Sequence, residues 1–121
     1  TIVDDEPNNI TLLRDLLQVK GYSTNEASNG KDGVDIAKAS LPSLILMDIQ
    51  MPEMDGLEAT RVLKADTATK DIPILALSSY AMKGDEERIL EAGCDGYLAK
   101  PFDIKELLSL VARYVSETTD A

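Results

Sequence analysis

The run Leu44-Ile45-Leu46-Met47, ending in Asp48, constrains the fold more than any other stretch of the chain. Four large apolar residues in a row leave no polar face. Bounded by turn signals, with Pro42 before it and Pro52 after it, the run reads as a strand buried on both faces. Such a strand belongs to a parallel sheet with helices packed above and below. A second run, Ile74-Leu75-Ala76-Leu77, repeats the signal. It extends to a fourth strand over 72–77, with Pro73 near its start, where a missing N–H does little harm, and Ser78-Ser79 just beyond.

Helical patterns separate these runs. Ile10, Leu13 and Leu17 recur at i, i+3, i+7, and Leu12 and Leu16 at i, i+4, giving a helix with a wide apolar face that stops at Gly21. Residues 30–39 form a second helix, with Val34, Ile36 and Ala37 as its buried candidates. Asp55 is a candidate N-cap for a third, through Leu57, Ala59, Val62 and Leu63. A fourth covers 83–92 and ends at Gly93, and Asp103 caps a fifth that carries Ile104, Leu107, Leu108, Val111 and Val115. Residues 22–27 and 96–99 complete the strands. The first, Thr1-Ile2-Val3, is short against the usual five or six residues, and is expected to be clipped at its N-terminus. Five strands alternating with five helices specify an α/β fold with a doubly wound parallel sheet. In such sheets ligands sit beyond the carboxyl ends of the strands, at the topological switch point.

Composition narrows the chemistry. A length of 121 residues suits one domain, and 44% apolar content can build its core. With 12 basic against 22 acidic residues the net charge is −10, which disfavours contact with nucleic-acid phosphates or anionic membranes. No apolar stretch approaches the roughly 20 residues of a spanning helix, and no secretory signal is expected. Cys94 is the single cysteine, so there is no internal disulfide or cysteine-based metal site, and its place between Gly93 and Asp95 suits a small packed residue. The chain has no histidine, which removes histidine triads, most zinc sites and a histidine phosphocarrier.

One rim of the sheet then collects Asp4-Asp5 from the first strand, Asp48 from the third, Ser78-Ser79 from the fourth and Lys100-Pro101 from the fifth. A single Asp after a strand is most often a turn or cap residue. Three carboxylates on neighbouring strands repel one another unless something compensates, and a hard, oxygen-only site suits Mg²⁺. A carboxylate can also accept a phosphoryl group. Asp48 would be that nucleophile, with no general base needed because an ionised carboxylate has no proton to lose. Charge on the three equatorial oxygens would be met by Mg²⁺ held by Asp5 and Asp48, by Lys100, and by the Ser78 hydroxyl with the Ser79 N–H.

With those residues in place the chain resembles a response-regulator receiver domain of two-component signalling over essentially its whole length, 1–121. The resemblance rests on Ile2-Val3-Asp4-Asp5, on Asp48-Ile49-Gln50-Met51-Pro52-Glu53-Met54-Asp55-Gly56, on Ser78 and on Lys100-Pro101-Phe102. Residues 80–88 are most similar to single-domain regulators of the DivK type and to receivers fused to hybrid kinases. The resemblance implies a flavodoxin-like sheet in the order 2-1-3-4-5 with five helices. It implies Asp48 as phosphoacceptor, Asp5 as a direct Mg²⁺ ligand, Asp4 as a ligand through water, and the Gln50 carbonyl as a further ligand. Ser78 would contact the phosphoryl group, Lys100 would pair with it, and Tyr97 would be an aromatic switch turning inward as Ser78 moves. The peptide before Pro101 would be cis. Serine at position 78, where threonine is commoner in the family, keeps the hydroxyl.

The implied partners are a histidine kinase or histidine phosphotransfer protein and a downstream effector, with no direct nucleic acid or membrane contact, in the cytoplasm. The phosphodonor would dock near Asn9, Leu12, Pro101 and Phe102, with Leu12 either contact or core. The effector would read a face around Tyr97 that includes Met82, Lys83, Ile104 and Lys105. Gln50 and Tyr80 would flank the path of hydrolytic water. The domain would catalyse only its own phosphorylation and dephosphorylation, not turnover of a separate substrate. Three other readings compete. A flavodoxin-like electron carrier would need free N–H donors where Asp4-Asp5-Glu6-Pro7 stands, and a haloacid-dehalogenase-type phosphatase would need an Asp where Gln50 stands. A receiver-like interaction module independent of phosphorylation would not need the acidic trio, Ser78 and Lys100 together.

Overall fold

A computed structural model describes residues 1–49, 56–78, 83–99 and 103–119. Its elements run β1 (Ile2–Val3), α1 (Pro7–Val19), β2 (Glu26–Ala27), α2 (Gly30–Ser40), β3 (Ile45–Asp48), α3 (Gly56–Ala65), β4 (Ile74–Ser78), α4 (Lys83–Glu91), β5 (Gly96–Ala99) and α5 (Ile104–Thr119). All strand pairs are parallel, in the order β2-β1-β3-β4-β5. The alternating strand–helix pattern therefore gives the doubly wound sheet expected of it.

Side-chain alternation along the strands splits the core in two. Ile2, Leu46, Leu75, Leu77 and Leu98 pack on one face against Leu13 and Leu17 of α1 and Leu107 and Val111 of α5. Val3, Ile45, Met47, Ile74 and Ala76 pack on the other, against Val34 and Ala37 of α2, Leu57 and Leu63 of α3, and Ile89 of α4. Each fully buried Leu or Ile contributes roughly 1.5–3 kcal/mol. The apolar run in β3 is thus divided between two helical layers, which is why it has no polar side. Cys94 is buried, as expected, with its Sγ 3.6 Å from the Thr60 Oγ1.

Helix ends follow local chemistry. The Tyr22 N–H bonds the Leu17 carbonyl at 3.1 Å and the Gly21 N–H bonds the Gln18 carbonyl at 3.0 Å, closing α1 in a Schellman motif. Asn29 caps α2: its side chain accepts from the Asp32 N–H at 2.8 Å. Asp103 caps α5 by accepting from the Lys105 N–H at 2.7 Å. The proposed Asp55 cap of α3 lies outside the described residues.

β1 and β3 each begin one residue later than expected, and β2 and β4 depart further. β2 is two residues, not six, because β1 offers a ladder only from Ile2, whose N–H reaches the Asn25 carbonyl at 2.8 Å. β4 starts at Ile74, because the Ile72 N–H turns back to the Thr69 carbonyl at 3.1 Å and Pro73 has none. At its other end Ser78 lies within β4, in register with Ala99.

Candidate functional site

The β1–β3 pair is the switch point of the sheet, since α1 and α2 lie on opposite faces. Val3 pairs with Met47, so the next residues in that register, Asp4 and Asp48, stand side by side at the carboxyl ends. Asp5 follows at once. Asp4 and Asp48 are buried and Asp5 is exposed. One carboxylate oxygen from each lies within 4.8 Å of the others. The backbone holds this cluster from several sides. The Asp4 N–H bonds the Ala27 carbonyl at 3.0 Å, Asp4 Oδ1 accepts from the Glu6 N–H at 2.8 Å, and the Ile49 N–H bonds the Leu77 carbonyl at 3.0 Å.

Burying two aspartates beside a third is costly unless a cation sits among them. The donor set is oxygen only, converging and open to solvent on the Asp5 side, and it suits a hard divalent ion such as Mg²⁺ that keeps several waters. The chain has no histidine, and its single cysteine, Cys94, lies before β5 at the opposite end of the sheet, so no softer ligand joins the three carboxylates.

Ser78 is buried at the end of β4, the strand beside β3. Register places Tyr97 opposite Ala76, and alternation puts Ser78 on the same face of the sheet one step further along. Tyr97 is half-buried against the core on the α2–α4 side. Ser78 and the Tyr97 ring therefore share one face of the sheet. Leu12 is 45% exposed, so it is a surface residue and not part of the core. Ile104 and Lys105 are exposed, and Asn9 is half-buried. Gln50, Ser79, Tyr80, Met82, Lys100, Pro101 and Phe102 lie outside the described residues, as does the side chain of Lys83.

Gly56 is a site residue whose role needed the structure. A Cβ on it would collide with the Asp48 carbonyl oxygen and stand 2.7 Å from the Ile49 Cα. Its N–H bonds the Ile49 carbonyl at 3.2 Å. The start of α3 is thus laid directly on the backbone of the residue proposed as nucleophile. The sequence marked the glycine only as the end of the Asp-x-x-x-Pro-x-x-Asp-Gly pattern.

A doubly wound sheet with a cluster of three carboxylates at its switch point defines a flavodoxin-like α/β domain whose donor set suits a divalent cation. The chain belongs to the response regulator receiver domain family, which it matches over residues 1–112. It is a signalling domain of two-component systems. It is 43% identical over 116 residues to the polar-differentiation response regulator DivK of Brucella anthropi, covering 96% of this chain and 94% of that one. Among solved structures, it is similar to the receiver domain of a signal transduction histidine kinase from Syntrophus aciditrophicus. That match has 35% identity, a TM-score of 0.89, and covers 96% of this chain and 88% of the other. It is also similar to the receiver domain of a sensor histidine kinase from Pseudomonas aeruginosa, at 36% identity and a TM-score of 0.88, covering 95% and 94% of the two chains. That structure has a magnesium ion coordinated in its active-site cleft.

Proposed function

We propose that residues 1–121 act as one receiver domain that accepts a phosphoryl group on Asp48 from a phosphohistidine of a histidine kinase or phosphotransfer protein. The observation that carries this reading is the convergence of Asp4, Asp5 and Asp48 within 4.8 Å at the switch point. Oδ of Asp48 attacks the phosphorus in line, an acyl-phosphate bond forms, and the P–N bond to the donor histidine breaks with its electrons returning to the ring. Asp4, Asp5 and Asp48, with the Gln50 carbonyl, would hold Mg²⁺. When bound, the ion supplies neutralisation of a phosphoryl oxygen. Lys100 would neutralise a second, and the Ser78 hydroxyl with the Ser79 N–H a third. The domain would act on no other substrate, and work in the cytoplasm.

Drawing Ser78 toward the phosphoryl group would clear space on the face that Tyr97 occupies. That would bias a surface made by α4, β5 and α5, on which Ile104 and Lys105 are exposed, toward an effector. The phosphodonor would dock beside the acidic rim, where Leu12 offers an exposed apolar contact on α1.

Acetyl phosphate with Mg²⁺ tests the reading: mass spectrometry should show one added phosphate, and none when the metal is chelated. A protein that takes no phosphate under saturating conditions would be an interaction module only.

Mg²⁺ itself should stabilise the fold. A ligand confined to the native state at about ten times its Kd adds roughly 1.4 kcal/mol. Thermal melts with and without millimolar Mg²⁺ should differ by several degrees, and Asp5→Asn should abolish most of the difference. Unchanged melting in both proteins would remove the metal from the reading.

Signal lifetime should depend on Tyr80 and Gln50, which lie two residues after Ser78 and Asp48. Tyr80→Ala should speed loss of the phosphoryl group by up to about tenfold, equivalent to roughly 1.4 kcal/mol of barrier. Gln50→Met should slow it by less, because covering the phosphoryl group outweighs orienting a water that seldom enters. Lifetimes within twofold of the parent for both variants would show that these side chains do not gate water.

A further inference from the structure

The turn over 92–95 joins α4 to β5 at the amino ends of the strands, opposite the acidic rim. Lys64, in the last turn of α3, is inserted there. Its Nζ donates to the Lys70 carbonyl at 3.1 Å, the Ile72 carbonyl at 2.8 Å and Asp95 Oδ2 at 2.9 Å. An ammonium has three protons, and these three acceptors use them all. Asp95 Oδ2 also accepts from the N–H of Ile74, the first residue of β4, at 2.8 Å. The Asp95 N–H in turn donates to the Ile74 carbonyl at 2.9 Å.

The stem of Lys64 is equally engaged. Gly93 has a left-handed backbone at φ +111, and a Cβ on it would lie 2.9 Å from the Lys64 Cγ. Only 19% of the Lys64 side chain is exposed. An isolated surface ion pair contributes little. Here one ammonium ties the end of α3, the approach to β4 and the turn before β5 to a single point. The buried anchors Ile89 and Ala92 lie at the same end of α4.

We propose that the Lys64–Asp95 pair is a pin that fixes the junction of β4, α4 and β5, so that signal-linked movement of α4 is a pivot about its Gly93 end. The pivot rests on the switching reading above; the pin does not. Asp95 precedes Tyr97 by two residues, and β5 is registered on β4 with Gly96 opposite Leu75. The pin therefore also prevents β5 from sliding, leaving rotation of the Tyr97 ring and travel of the rim end of α4 as the available motions.

Lys64→Met tests the pin, because it keeps much of the stem and removes all three donors. In the full chain without Mg²⁺ or phosphoryl donor, the Ile74 and Asp95 amides should exchange at least tenfold faster. The Leu46 and Met47 amides of β3 should stay within threefold. Cys94, whose thiol burial pushes up in pKa, should label faster with a thiol reagent in the same variant. Ala37→Gly in α2, chosen to lower global stability elsewhere, should not produce this local pattern. A uniform increase across the sheet, or none at the turn, overturns the pin. For the pivot, the parent is saturated with beryllofluoride and Mg²⁺. The Ile74 and Asp95 amides should change less than twofold while amides in the first turn of α4 change more than fivefold. Equal change at both ends of α4, or none in α4, overturns the pivot, and the Lys64→Met arm still decides the pin.

Discussion

Asp48→Asn protein incubated with acetyl phosphate and Mg²⁺ will gain no phosphate, under conditions in which the parent gains one. Asparagine keeps the shape of the side chain but has no anionic oxygen to attack phosphorus, so the expected loss is at least a hundredfold in rate. The other carboxylates do not replace it. Asp4 is buried beside Asp48, its Oδ1 accepting from the Glu6 N–H, and Asp5 is on the exposed side of the cluster. The same substitution carries a second, opposite signature. At an effective dielectric of about 20, two unit charges 4.8 Å apart repel by about 3.5 kcal/mol, and solvent on the Asp5 side reduces that figure. Metal-free Asp48→Asn protein should therefore be more stable than the parent, by about 1 kcal/mol, and should gain less from added Mg²⁺. A variant that still takes one phosphate would move the phosphoacceptor elsewhere. A variant no more stable than the metal-free parent would remove charge crowding from the account.

That pocket was legible in the sequence because strand ends are. Apolar runs stop at Asp4 and Asp48, and parallel alternation fixes which ends share a rim. What the run Leu44 to Met47 could not reveal is which residue faces which helical layer, since every position is apolar. The structure turns Leu44 and Leu46 toward α1 and α5, and Ile45 and Met47 toward α2, α3 and α4. Leu12 was open between core and contact for a related reason: its helix is apolar over a wide arc, and only packing shows where the arc ends. The length of β2 was illegible because it is set by its partner β1, not by residues 22–27 themselves. The Lys64–Asp95 pin was invisible for a simpler reason. Its two charges are 31 residues apart, and each reads locally as a solvated surface residue.

Gly56→Ala should be the most damaging single-methyl change at the site, although two general effects favour alanine. Helix propensity prefers Ala to Gly by about 1 kcal/mol in a helix interior, and a less flexible unfolded chain adds about 0.4–1 kcal/mol. Both are opposed by contact. The new Cβ would meet the Asp48 carbonyl oxygen, and would stand 2.7 Å from the Ile49 Cα and 2.9 Å from the Asp48 carbonyl carbon. All three are backbone atoms, so no side-chain rotation relieves the clash. Nor can the helix start simply lift away. The Gly56 N–H bonds the Ile49 carbonyl, and the Gly56 carbonyl accepts from the buried Thr60 hydroxyl at 2.7 Å. Either α3 retreats and leaves a gap around Leu57, or the backbone of Asp48 and Ile49 shifts. Overpacking of this kind costs typically 1–3 kcal/mol, and rigid neighbours put the expected net loss near the top of that range, about 2–3 kcal/mol. For a domain of this size the melting temperature should fall by roughly 10 °C. Phosphorylation by acetyl phosphate should slow as well, even at temperatures where the variant is fully folded, because the shifted backbone carries Asp48, the proposed phosphoacceptor. Denaturant melts and initial phosphorylation rates separate the two effects. A variant as stable as the parent and phosphorylated as fast would show that the start of α3 is not seated on the Asp48 backbone.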